Sequence, residues 1–493
     1  MRRRHLPGLL ALSVALTALV GAGPSASAAP QHVSVKSFDG TEIWISIYKP
    51  ADATAEEPVP VILQSHGWGG SRTTSPTAFG AWLEEGFGVV SIDQRGHGQT
   101  GGTAHVQNPD YEARDIIAVI DHVATLDWVQ LDGPGDPVMG AIGGSYGGGY
   151  QMITSLTEVL TKGSTRFNAL APQITWYDLP RSLGPSDVPR TLWNTLLYAA
   201  GASRLPDYVH RSYALGVATA TFPNGEIPET YNLKERFYNN SPAWFVDQEV
   251  QLDIPLLVGQ GTSDNLFPLN EGWDIFSQAL TDDARERSLF IGYNGGHALP
   301  QALPLGSSSG ADACSGGFDA LSRAFFKRAF AGEDTRELLR KQVGITTATG
   351  QCLWVDTLEP SASVELGTLA APTAVGAPIS YEIASGPMTI AGVPVLLAKV
   401  TSAAPEARAF FALSVGTSPA NATVLQNNVM PMRLRLPKLS EAFSLELAGV
   451  AATLTEGQKL YLTVSPTSDM FIGTSRVPSV VLLEDAVVDL PVR

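Results

Sequence analysis

Gly143-Gly144-Ser145-Tyr146-Gly147 follows the apolar run Val138–Ile142 and precedes a helical stretch. A G-x-S-x-G pattern between a strand and a helix marks a turn so tight that only glycine fits two residues either side of the serine. Such a turn exposes the Ser145 hydroxyl at the strand end and aims the Tyr146 backbone N–H at an incoming carbonyl oxygen. The chemistry it suits is nucleophilic attack on an acyl carbon. A serine hydroxyl is a poor nucleophile alone, so a base must take its proton. That base is expected to be a histidine, held by a carboxylate.

Chain order narrows the partners. In serine sites built on this turn the acid follows the serine and the histidine follows the acid. Of eight histidines, only His210 and His297 come after Ser145. His210 falls in an aromatic insertion, whereas His297 follows the last strand expected in the sheet, in "GYNGGHA", so His297 is the expected base. "IPLLVGQGTSDNLFP" puts Asp264 just past a strand end, where the acid belongs. The alternative for Asp264 is a turn residue or a cap for the next helix. Asp253 precedes its strand and Asp274 falls within a helix. A second oxyanion donor is expected from "SHGWGG", as the backbone N–H of Trp68. His66 and His97 read as structural residues in tight loops. His105 and His122 lack metal-ligand spacing, and the phosphate-loop lysine is missing from "GGSYGGG". The chemistry needs neither metal nor cofactor.

The elements that must position these groups alternate. Val59–Gly67, Phe87–Gly96, Pro137–Gly144, Ile254–Gly261 and Arg287–Gly296 are continuous apolar runs, as strands buried on both faces should be. Helical stripes separate them, the clearest in "NPDYEARDIIAVIDHVATLDWV", where Asn108 can cap and Pro109 suits the first turn. This alternation predicts an α/β fold with a mostly parallel sheet covered on both faces. Residues 180–250 break the rhythm with crowded aromatics and no convincing strand, and read as a helical cap over the strand ends. After about Gly350 short alternating segments take over, predicting an all-β jelly-roll sandwich. The expected division is 1–29 export signal, 30–179 with 251–340 catalytic, 180–250 cap, and 355–493 sandwich.

The chain has 493 residues, 44% apolar and 16% charged, with a formal net charge of −16. That is too long for one ordinary core, and the acidic balance argues against nucleic acid or an anionic membrane as partner. Arg2, Arg3 and Arg4 precede the short apolar run Leu9–Val20 and the small residues Ser25 to Ala29, as in a secretory signal. Secretion into an oxidising compartment is therefore expected, and with it a disulfide between the two cysteines, Cys314 and Cys352.

Taken together, "SFDGTEIWISIYKP", "DQRGHGQTGG", "GGSYGG", the segment from "SPAWF" to "IPLLVGQGTSDN" and "EGQKLYLTVSPTSDMF" resemble, in order, the α/β-hydrolases of the X-Pro dipeptidyl-peptidase and cocaine-esterase group. The resemblance implies a helical cap, a sandwich closing over the site, and serine hydrolysis of a small-molecule ester or of an X-Pro peptide through Ser145, Asp264 and His297. One position departs. Members often carry a tyrosine, whose hydroxyl joins the oxyanion hole, where this chain has Trp68; "HGWGG" is closer to ordinary esterases and lipases. Ester hydrolysis is the expectation. Release of X-Pro dipeptides is the alternative with the same chemistry, and a non-catalytic secreted binding protein is the alternative from another class.

Overall fold

The structure, a computed structural model, describes residues 29–226, 231–297 and 312–493 apart from 472, 474 and 476. The expected export signal lies, but for Ala29, outside the described residues.

Ten strands form the main sheet: β1 (Gln31–Lys36), β2 (Glu42–Tyr48), β3 (Val61–Ser65), β4 (Gly88–Ile92), β5 (Met139–Gly144), β6 (Ala169–Gln173), β7 (Leu257–Gly261), β8 (Leu289–Tyr293), β9 (Val343–Thr346) and β10 (Cys352–Val355). Their order is β1-β2-β4-β3-β5-β6-β7-β8-β9-β10. Pairing is parallel from β4 through β9 and antiparallel at both edges. The sheet thus runs on past residue 340, where the expected catalytic segment ends, because two short apolar segments add to its edge.

The apolar strands are buried on both faces by two helix layers, and the short helix α1 (Gly80–Glu84) leads into β4. Val61 and Leu63 point into a core with the helices α2 (Glu112–Val123) and α3 (Tyr146–Lys162). Ile62, between them, points the other way, into a core with the helix Phe318–Phe330. Alternate side chains therefore serve opposite layers. Helix α2 starts later than its sequence suggests. Asn108 Oδ1 accepts from Asp110 N–H in a turn, and the Glu112 carboxylate reaches back to the Asn108 N–H, so the helix begins at Glu112.

Between β6 and β7 the chain forms the helices α4 (Leu179–Leu183), α5 (Thr191–Gly201), α6 (Asp207–Thr219), α7 (Leu233–Tyr238) and α8 (Pro242–Val246). Among the described residues from 180 to 250 the only strand-like feature is one bridge, Asn224 to Asn232. Leu183, Leu205, Val209, Phe222, Leu233 and Phe237 of this segment share a core with Tyr146, next to Ser145, and with Leu266 and Phe267, just after Asp264.

After β10 the chain is all β. Ala362–Thr373, Ser479–Leu490, Val395–Ser402 and Lys438–Glu446 form one antiparallel sheet. Ile379–Ser385, Lys459–Ser465 and Ala407–Gly416, with Met430–Leu434 and Thr423–Val424, form the other. Their inner faces enclose a second large core. A smaller cluster around Phe410, Met470 and Phe471 packs this sandwich on Val188 and Trp193 of the cap. Cys314 and Cys352 are joined in a disulfide, as the sequence suggests, tying residue 314 to β10 with their Cα atoms 5.1 Å apart.

Candidate active site

Ser145 stands between β5 and α3 with φ 58° and ψ −121°, a backbone conformation a side chain rarely adopts. Its N–H donates to Gln173 O, and its carbonyl accepts from Gly148 and Gly149. The flanking glycines are required by contact. A Cβ on Gly143 would stand 2.5 Å from Gly147 O, and one on Gly147 would stand 2.5 Å from Ser65 O. The serine turn is therefore clamped against the end of β3.

Asp264 follows β7 and is fully buried. Its Oδ1 accepts from the Leu266 and Phe267 N–H groups, at 3.0 and 2.8 Å. Its Oδ2 lies 2.5 Å from His297 Nδ1. The His297 ring is held edge-on by Trp193 and Phe267. The loops carrying the acid and the histidine touch closely: a Cβ on Gly261 would stand 1.9 Å from Gly295 O, and one on Gly296, which has φ 119°, would stand 2.6 Å from Asp264 Cβ. With Nδ1 on Asp264, Nε2 is the ring nitrogen left for another partner.

The loop after β3 passes under the serine. A Cβ on Gly67 would lie 3.8 Å from Ser145 Cβ. Neither the Trp68 nor the Tyr146 backbone N–H bonds to a described residue. The Trp68 indole donates to Leu197 O on α5 and packs against Tyr146. Its side chain thus fixes the loop to the cap. His66 accepts from the Gln94 N–H through Nε2, and burial lowers its pKa. His97 bonds to Arg95 O through Nδ1, and burial lowers its pKa to about 4. Both are neutral structural rings, as expected. His210 bonds to Tyr198 within the cap. Asp253 is engaged by Thr281 and Arg287, and Asp274 by Arg181.

Ser145 lines a cavity of about 250 Å³ together with Trp68, Tyr146, Phe267 and cap residues. Among the described residues lining it, none is charged. Glu112, whose charge acts on the Tyr146 ring, is spent on the N–H groups of His105 and Asn108; burial pushes its carboxyl up to about 8.

Two contributors escape a reading of the sequence. Gln426, from the sandwich, donates to Thr262 Oγ1 and to Asn294 Oδ1, while its carbonyl accepts from Ala451 N–H. Asn428 Nδ2 donates to Asp264 O at 2.7 Å. The signal was present: Gln426-Asn427-Asn428 is a polar triplet between Val424-Leu425 and Val429-Met430.

Sheet order, the strained serine between strand and helix, and a helical insertion after β6 define an α/β-hydrolase. The family model for X-Pro dipeptidyl-peptidase (S15 family) matches residues 39–298, more than half of the chain. The chain belongs to that family and is a serine hydrolase. Its fold is similar to a CocE/NonD family hydrolase from Staphylococcus aureus, with a TM-score of 0.66 at 12% identity over 94% of this chain and 93% of that one. It is also similar to an α-amino acid ester hydrolase, with a TM-score of 0.60 at 13% identity over 98% of this chain and 100% of that one. A bifunctional esterase/perhydrolase of Acinetobacter calcoaceticus is 32% identical over 97 residues, 20% of this chain and 33% of the relative. That match spans about a third of the relative's length.

Proposed function

We propose that this hydrolase cleaves carboxylic esters through an acyl-enzyme on Ser145. His297 Nε2 takes the hydroxyl proton as Ser145 Oγ attacks the acyl carbon. The Tyr146 and Trp68 N–H groups hold the oxyanion. His297 then gives its proton to the departing alcohol, and a water, activated by the same ring, releases the acid. Asp264 keeps the imidazole in the tautomer that leaves Nε2 free.

The observation that carries the ester reading is that none of the described residues lining the cavity at Ser145 is charged. An X-Pro dipeptide brings a free ammonium, and an ammonium taken out of water without an anionic partner costs several kcal/mol. Glu112, the buried carboxyl beside Tyr146, has both oxygens already engaged by the backbone N–H groups of His105 and Asn108. Export through residues 1–29 would place the enzyme in the oxidising setting that the Cys314–Cys352 disulfide suits.

The test sets p-nitrophenyl butyrate beside Gly-Pro-p-nitroanilide, with Ser145→Ala as the blank. Ester turnover without anilide release is expected, and Ser145→Ala should lose about 10⁶-fold in kcat with its fold intact. Efficient dipeptide release would replace this reading with the peptidase one. Failure of a fluorophosphonate to label Ser145 would leave the binding-protein alternative.

A further inference from the structure

The cavity at Ser145 follows one face of a cap helix. Val209, Ser212, Tyr213, Gly216 and Val217 of α6 line it, spaced by three and four residues. Such a stripe is ordinarily the face a helix turns to a core; here it faces open space. From Val209 to Val217 it runs ~12 Å, at about 1.5 Å per residue. That is the reach of a zigzag chain of about ten carbons with C–C bonds of roughly 1.5 Å. Val209 is buried and Val217 is 57% exposed, so the stripe passes from the interior to solvent. Leu183, Phe222, Leu233 and Phe237 add to the apolar lining.

Orientation follows from which groups border the space. Trp68 and Tyr146, whose backbone N–H groups are the candidate oxyanion donors, line it; His297 does not. His297 must reach the leaving oxygen to protonate it, so the alcohol belongs on the His297 side and the acyl group on the cavity side.

We infer that this cavity is an acyl-chain tunnel and that the enzyme prefers esters of medium-length alkanoic acids to acetates. The inference rests on the esterase reading and adds to it the substrate class and the direction in which the substrate lies. Each methylene that enters the tunnel leaves water, which favours the bound transition state by up to ~4-fold per CH₂, the ~0.8 kcal/mol of burying one converted at 1.36 kcal/mol per factor of ten.

Two substrate series on the wild-type protein test it, both below their aggregation concentrations. In p-nitrophenyl esters from acetate to dodecanoate, kcat/KM should rise by at least about 100-fold up to roughly ten carbons and then level off. In alkyl acetates from ethyl to octyl it should change by less than about threefold, since the alcohol leaves on the other side. Gly216→Trp, which places a ring in the tunnel, should move the acyl optimum several carbons shorter. Flat or falling kcat/KM with acyl length, or a rise with alcohol length instead, would overturn the inference while leaving the esterase reading in place. No turnover of any ester, with Ser145 unlabelled by a fluorophosphonate, overturns both. Should Gly216→Trp fail to fold, the two wild-type series still decide.

Discussion

Asp264 divides its two oxygens between two tasks. Oδ1 closes the turn through the Leu266 and Phe267 N–H groups, and Oδ2 faces His297 Nδ1. The sequence leaves this residue between a turn cap and a partner for a histidine; the side chain does both. Asp264→Asn separates them. The amide oxygen can keep the two backbone bonds, which leaves the amide N–H against His297 Nδ1. The ring must then accept at Nδ1 and carry its proton on Nε2, where it cannot take one from Ser145. A loss of about 10⁴-fold in kcat with little change in thermal stability is expected, measured by ester turnover and by melting. A drop in melting temperature large enough to explain the lost activity would mean that the turn, not the tautomer, is what Asp264 serves. The strained turn at Ser145 and the contact of Asp264 with His297 were legible because glycine spacing and chain order constrain them locally. The role of the Trp68 indole was not, because its acceptor, Leu197 O, lies 129 residues away and on another element.

At the scale of elements, the sandwich does more than follow the catalytic sheet. Between Thr423–Val424 and Met430–Leu434 its chain holds Gln426 and Asn427 at φ 51° and 63°, positions that few non-glycine residues adopt. Strain of this kind persists only where surrounding contacts determine it. Here those contacts include the acid loop and Asn294, three residues before His297. Asn428→Ala leaves the Asp264 carbonyl without its side-chain donor and loosens the loop that aims the carboxylate. A displacement of the order of an ångström costs up to about 100-fold in rate, so kcat should fall about 10- to 100-fold with KM little changed. Fluorophosphonate labelling of Ser145 should slow in step. An unchanged kcat would show that the acid loop holds itself. Period-two patterning announced the sandwich, and continuous apolar runs announced the parallel strands. The contact between them was hidden because Asn428 and Asp264 lie 164 residues apart. The edge strands β9 and β10 were hidden for another reason: four residues each are too few to show a period.

For the whole molecule, the α/β sheet, the cap and the sandwich meet around one site, so its acid tolerance is set partly by groups that do no chemistry. His66 and His97 lie side by side beneath the Trp68 loop, and their rings are 5.0 Å apart. Burial is the first cause holding each pKa below its ordinary 6.5, that of His97 at about 4, with the neighbouring ring adding to the effect on His97. A group depressed in the fold contributes its stability in full above the unfolded pKa and loses it as pH falls through the folded one. The unfolded chain therefore takes up a proton near pH 6.5 that the folded one refuses until about 4, and stability should fall across that window by up to ~3 kcal/mol for His97. The change opposes the relief that acidification brings to a chain of net charge −16 at pH 7. His97→Asn keeps an N–H donor for Arg95 O and cannot titrate. Its melting temperature should start near or below that of wild type at pH 8 and decline less steeply between pH 6.5 and 4. Parallel declines in the two proteins would place the acid sensitivity elsewhere, first in His66, whose pKa burial also lowers.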